Sequence, residues 1–170
     1  MATPQQIIYD TAMKAGLSDT TAKLLVGQSA HETGNWTSNA YKNHYNGFGY
    51  TYYSGSKWQT GNRGLIADNN QPVADYKNLS DSTNEVIDWL KRRQAQGKFK
   101  ISDLNTPEKY AKALKDNAYY GASYSTYLGG LVSGMKKWAG NLTTTTKVGI
   151  GSVLVLGTIF YLGYRYFKNK

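Results

Sequence analysis

The chain has 170 residues and carries 20 Lys and Arg against 11 Asp and Glu, a net charge of +9 with a pI near 9.5. A length in that range favours one compact domain with an appendage over two full domains. Cysteine is absent and His31 and His44 are the only histidines, which excludes a disulfide framework, a thiolate nucleophile and a Cys-rich or His-rich metal site.

The basic excess suits a nucleic acid, a membrane surface or an anionic polymer. Only Lys91-Arg92-Arg93 and Lys136-Lys137 are adjacent, however, and runs so short read as solvated helix faces, so no nucleic-acid partner is expected. Bacterial wall polymers carry carboxylates and phosphates, and a diffuse positive field would raise the encounter rate with them.

In chain order, Met1 to Gln6 is polar and lacks the charged and apolar regions of a secretory signal. Thr3-Pro4 opens a first helix that continues through Ile7, Ile8 and Ala12 and closes near Lys14 and Gly16. A second helix starts at Ser18 or Asp19, runs through Leu24-Leu25-Val26 and Ala30, and ends near Glu32-Thr33-Gly34, with Gly34 suited to a left-handed cap. From Asn35 to Lys77 no helical period survives. The aromatic run Tyr50 to Tyr53, the turn Ser54-Gly55-Ser56 and Lys57-Trp58-Gln59 together predict a short β-hairpin. Helices resume where Ser80 or Asp81 precedes Val86, Ile87, Trp89 and Leu90, and where Thr106-Pro107 precedes Tyr110, Ala111 and Leu114. A further helix is predicted over 124–138.

The expected domain therefore occupies residues 1–140 and is mainly α, of α+β type, with a loop-rich aromatic lobe. Residues 141–147 read as a linker. The segment 148–167 is almost wholly apolar, and twenty helical residues at about 1.5 Å each would cross a hydrocarbon core of about 30 Å. Tyr161, Tyr164 and Tyr166 cluster near its end with Arg165, and a basic tail, 168–170, follows. The expectation is thus one C-terminal transmembrane helix and a membrane location. With Lys147 on one side and Arg165, Lys168 and Lys170 towards the other, the positive-inside rule places the N-terminal domain outside.

Acid–base cleavage of a glycosidic bond needs a carboxyl that stays protonated near neutral pH, and so one desolvated by apolar neighbours. Glu32 follows apolar helical turns, precedes the aromatic lobe and sits at the negative end of the helix dipole, and all three influences raise its pKa. A solvated helix-end carboxylate fits the same local pattern.

Four segments then carry a resemblance. Gln28 to Trp36 resembles the A-x-x-E-[ST]-G motif of the glucosaminidases of glycoside hydrolase family 73, with Glu32 on the acid. Tyr45-Asn46-Gly47-Phe48-Gly49-Tyr50 resembles the family's N-L-F-G-I, with Gly47 in place of Leu. Val73 to Leu79 with Ser82, and Thr106 to Leu114 followed by Tyr120 to Tyr127, resemble its remaining two segments in the same order, without the usual Asp-Pro before Tyr127.

The resemblance implies a lysozyme-like fold that cleaves peptidoglycan glycan strands, as an endo-β-N-acetylglucosaminidase or a related muramidase or lytic transglycosylase, without cofactor or metal. It implies Glu32 as general acid and a functional role for Tyr120. Asp68 is the candidate second carboxylate, with Asp75 the runner-up, although such enzymes also work with one acid and the substrate's acetamido group. Phe48, Tyr50, Tyr52, Trp58 and Tyr127 are candidate substrate-binding aromatics, because sugar C–H faces stack on such rings. The partners expected are peptidoglycan strands, a lipid membrane through 148–167 and virion proteins, since a wall enzyme anchored in this way suits the membrane of a bacteriophage particle, with the bacterial inner membrane as the alternative. A structural virion protein and an inactive glycan-binding module are the competing functions.

Overall fold

The computed structural model describes residues 2–67 and 70–143. Helix α1 spans Pro4–Lys14, α2 Asp19–Glu32 and the short α3 Asn39–His44. Strands β1, Gln59–Gly61, and β2, Asp75–Tyr76, are followed by α4, Leu79–Ala95, a 3-10 turn at Ile101–Asp103, α5, Pro107–Asp116, and α6, Tyr124–Trp138. Side-chain caps start five of the helices. Ser18, Ser38, Asn78, Thr106 and Ser123 accept from the backbone N–H of Thr21, Tyr41, Asp81, Lys109 and Thr126, and each cap satisfies a donor that the helix itself leaves open.

Helix α2 is the central element. Every residue from Leu24 to Ala30 is buried, so it shows no polar face, as befits a helix covered on all sides. Fully burying Leu24, Leu25 and Val26 stabilises the fold by about 2 kcal/mol each. Its closest neighbour is α6. A Cβ on Gly27 would run into Met135 and the backbone of α6, and one on Gly134 into the backbone of Gly27. These two glycines let the helices approach at a distance that side chains would forbid.

Three consecutive residues after α2, Gly34, Asn35 and Trp36, have φ of 57°, 61° and 62°. Left-handed backbone costs about 1–2 kcal/mol per non-glycine residue, and local bonds hold it. Asn35 N–H donates to the Ala30 carbonyl at 2.7 Å, Trp36 N–H to Thr33 Oγ1 at 2.8 Å and Trp36 Nε1 to Ser29 Oγ at 3.0 Å.

The structure corrects several expectations. Strand β1 does not pair within the predicted hairpin; it pairs antiparallel with β2, Gln59 opposite Tyr76 and Gly61 opposite Asp75, and Thr51 bridges Val73. The run from Tyr50 to Tyr53 contributes only that bridge, because its backbone is taken up by the 72–74 segment: Tyr52 N–H donates to Pro72 and Ala74 N–H to Tyr50. Helix α3 lies inside the stretch read as irregular. The fold class, expected as a lysozyme-like α+β domain with a C-terminal transmembrane helix, is corrected to a mostly helical domain with one two-stranded sheet. No helix among the described residues is long and apolar enough to cross a membrane. The span assigned to 148–167 lies outside the described residues, and the membrane location, viral or bacterial, rested on that span and is withdrawn with it.

Candidate active site

Glu32 is the last residue of α2 and is partly buried. Tyr127, near the start of α6, donates its hydroxyl to Glu32 Oε1 at 2.7 Å. Burial pushes the Glu32 carboxyl up to about 7, against the Tyr127 bond, which lowers it. The tyrosine hydroxyls behind it, Tyr110, Tyr119 and Tyr127, are raised by burial and stay neutral. A carboxyl in such surroundings holds its proton near neutral pH.

The loop beside Glu32 is built around Asn46, which is fully buried. Its Nδ2 donates to the carbonyls of Tyr50 and Ala74 at 2.7 and 3.2 Å, and its Oδ1 accepts from Tyr50 N–H at 3.1 Å. Ser29 Oγ donates to the Gly47 carbonyl at 2.7 Å, and Gly47 N–H donates to Ser82 Oγ at 2.9 Å. A Cβ at position 47 would stand 2.6 Å from Leu79 Cδ1 and 3.2 Å from Ser29 Oγ, so a larger residue there requires the Leu79 side chain to shift. Gly49 has φ of 71°, and a Cβ there would stand 3.4 Å from Glu32 Oε2. With Tyr127 on Oε1, the oxygen left to carry the proton is Oε2, beside Gly49.

Glu32 and Gly49 both line a cleft of about 640 Å³. Phe48, Gly49, Tyr50 and Thr51 line one side, and Ala118, Tyr119, Tyr120 and Gly121 also line it, with Trp89 contributed by α4. Tyr119 meets Tyr50 and Trp89 edge-on at centroid distances of 5.7 and 5.1 Å and donates its hydroxyl to the Phe48 carbonyl at 3.1 Å. An aromatic cleft with one proton-bearing carboxyl among the described residues suits a sugar chain, whose rings stack on aromatics while the bond between them is protonated.

Residues 9–145 match the glucosaminidase family, which is described as mannosyl-glycoprotein endo-beta-N-acetylglucosaminidase. The chain belongs to this family, glycoside hydrolase family 73. Membership makes it a glycoside hydrolase and supports peptidoglycan as its polymer. No curated protein and no solved structure matches it.

Within this glucosaminidase, the cleft brings Phe48, Tyr50 and Tyr120 together with Glu32. Tyr120 stacks on Tyr127, with centroids 3.6 Å apart and planes 3° from parallel, and its hydroxyl donates to the Ala111 carbonyl at 3.0 Å. Tyr127 is buried behind Glu32 rather than along the cleft wall. Tyr52 is not among the cleft residues, and Trp58 lines a different groove. Asp75 is buried with His44 Nδ1 at 2.5 Å and Arg63 Nε at 3.1 Å, so its carboxylate ties α3 and the loop after β1 to β2. Asp68 lies outside the described residues; Ala67, which precedes it, lines the cleft.

Sequence reasoning missed Gly49, Trp89 and Tyr119. Gly49 stands inside the quoted Asn46 to Tyr50 motif, so a signal for it existed. Trp89 follows the helical spacing of the α4 core, and nothing in the sequence separates it from Val86 and Leu90, which are buried.

Proposed function

We propose that this glucosaminidase cuts the β-1,4 bond after N-acetylglucosamine within peptidoglycan strands, with Glu32 as general acid. The observation that carries this reading is the Glu32 carboxyl, raised to about 7 by burial at the edge of an aromatic cleft. The proton on Oε2 passes to the glycosidic oxygen as the C1–O bond breaks, and the leaving sugar departs as a neutral alcohol. Positive charge developing at C1 is quenched from the opposite face, and a water finally adds its oxygen to C1 and gives up a proton, which leaves the reducing end and restores the acid. Asp68 is the proposed carboxylate for that second role, and the acetamido oxygen of the substrate is the other group able to fill it.

Tyr127 positions the acid by fixing which oxygen faces the cleft. The rings of Phe48, Tyr50 and Tyr120 form the sugar platform, and the Tyr120 oxygen keeps lone pairs to accept from an N-acetyl N–H. Tyr52 and Trp58 have no part in this cleft.

The test uses the full-length chain and its Glu32→Gln variant on purified peptidoglycan, with the released ends identified by mass spectrometry. Reducing N-acetylglucosamine ends, reduced about a thousandfold in rate by Glu32→Gln, are the expected result. Reducing N-acetylmuramic ends would make the enzyme a muramidase, and anhydromuramic ends a lytic transglycosylase. Release that survives Glu32→Gln would sink the assignment of the acid.

A further inference from the structure

A second groove, of about 450 Å³, lies against a different face of α4. Its walls carry Tyr53 and Trp58 from the aromatic loop and Glu85, Asp88, Lys91 and Arg92 from the helix. The same short loop serves both concavities, since Tyr50 and Thr51 line the cleft and Tyr53 lines the groove.

The acidic groups of this groove are already engaged. Glu85 is 1% exposed, accepts a hydrogen bond from Ser56 and has Arg92 at 3.8 Å. Asp88 accepts from Trp58 Nε1 at 2.8 Å and pairs with Lys57 at 2.9 Å. The basic groups are more exposed than these carboxylates, although Lys57 and Arg92 are their partners. The Lys57 side chain is 69% exposed and that of Arg92 51%, while Lys91 is exposed with one long contact, 3.4 Å, to the Ala15 carbonyl. Lys57 Nζ lies 5.0 Å from the centre of the Trp58 ring, and Tyr53 is 45% exposed. A ligand therefore meets aromatic surface and three exposed cations set against the buried Glu85 and the partly exposed Asp88, an excess of one positive charge. That chemistry selects an anionic group carried on a ring or short chain with an apolar face.

We propose that this groove is an accessory site for a carboxylate-bearing part of the peptidoglycan strand, held by Lys91 and Arg92 while Tyr53 and Trp58 cover its apolar face. The proposal rests on the peptidoglycan reading above. Holding the strand at a second place raises the effective concentration of its bonds at the cleft, and a charge-based hold weakens with salt.

The test follows binding of the full-length Glu32→Gln chain to purified sacculi by co-sedimentation over a salt series. Lys91→Glu and Tyr53→Ala are then introduced separately. Both residues are exposed, and each variant's thermal midpoint is measured alongside, so a variant that fails to fold leaves the other to decide. Each is expected to weaken binding about fivefold at low salt. The Lys91→Glu difference should vanish on sacculi whose carboxyls have been converted to methylamides. Glycan strands stripped of their peptides retain only the lactyl carboxylate; persistence of the effect on them assigns the sugar-borne group, and its loss assigns the peptide. Folded variants that sediment like the parent would overturn the proposal, as would an equal Lys91→Glu defect on the amidated wall. Lys91-dependent binding without release of sugar ends by the unmutated chain would instead defeat the hydrolase reading and leave the groove standing.

Discussion

Tyr127 reaches across 95 positions of sequence to place its hydroxyl 2.7 Å from Glu32 Oε1. The bond joins α6 to the end of α2, leaves Oε2 beside Gly49, and opposes the effect of burial on the carboxyl.

Activity should follow the protonated fraction of Glu32. Because its carboxyl titrates at about 7, kcat/KM should fall about tenfold per pH unit above that value, since the acid must hold its proton to donate it. Tyr127→Phe removes an influence that lowers the carboxyl, so the falling limb should move to higher pH while the rate on the acidic side drops about tenfold. A pH–rate profile of both proteins on peptidoglycan suspensions reads this. An unmoved limb would mean that Tyr127 has no hold on the acid.

The same carboxyl makes stability fall as pH rises. Its folded value of about 7 exceeds the ordinary 4.5, so the folded state binds the proton more tightly. That contribution is complete below about 4.5 and is lost as pH rises through about 7, amounting to roughly 3 kcal/mol. Glu32→Gln should therefore melt above wild type by several degrees at about pH 8.5 and by much less at about pH 4.5. A pH-independent difference between the two melting curves would contradict the buried carboxyl.

Two glycines of α6 should respond with opposite signs. A Cβ at Gly134 meets the backbone of Gly27, so Gly134→Ala should destabilise by about 1–3 kcal/mol and, by displacing α6 and its Tyr127, lower activity as well. Gly129 has open space around its Cβ position within the same helix, so Gly129→Ala should stabilise by about 0.5–1 kcal/mol. Denaturant titration of both variants distinguishes helix propensity from helix contact.

The second role at C1 is tested by Asp68→Asn. If Asp68 is the second carboxylate, turnover should fall at least about a hundredfold with the Glu32 pH limb unchanged. A loss of less than about fivefold would assign the role to the substrate's acetamido group, and a strand lacking that group would then resist cleavage.

Much of the local architecture was legible in the sequence because its causes are local. Thr3-Pro4, Ser18, Thr106-Pro107 and the stretch 124–138 mark helix starts and spacings that depend on residues within one or two turns, and α1, α2, α5 and α6 form there. Its place at the end of an apolar helix made Glu32 a candidate on the same grounds, but that pattern also fits a solvated carboxylate, and only the resemblance of Gln28 to Trp36 to the family motif singled it out. Helix α3 escaped notice because its six residues, Asn39 to His44, are too few and too polar to show a period.

What only the tertiary structure decided are the relationships between distant segments. The pairing of β1 with β2 depends on which strand edge the 72–76 segment reaches, and no alternation within Tyr50 to Gln59 encodes that. Trp58 and Tyr50 stand eight residues apart in the same aromatic run, yet α4 receives them on different faces and only Tyr50 lines the cleft. Asp75 reads from the sequence as the runner-up second carboxylate, and only folding brings His44 and Arg63 to it. Glycine contacts between α2 and α6 put Tyr127 behind the acid, and sequence spacing carries no record of that distance. Residue type and local order thus determined which groups could do chemistry, while packing between helices decided which of them meet.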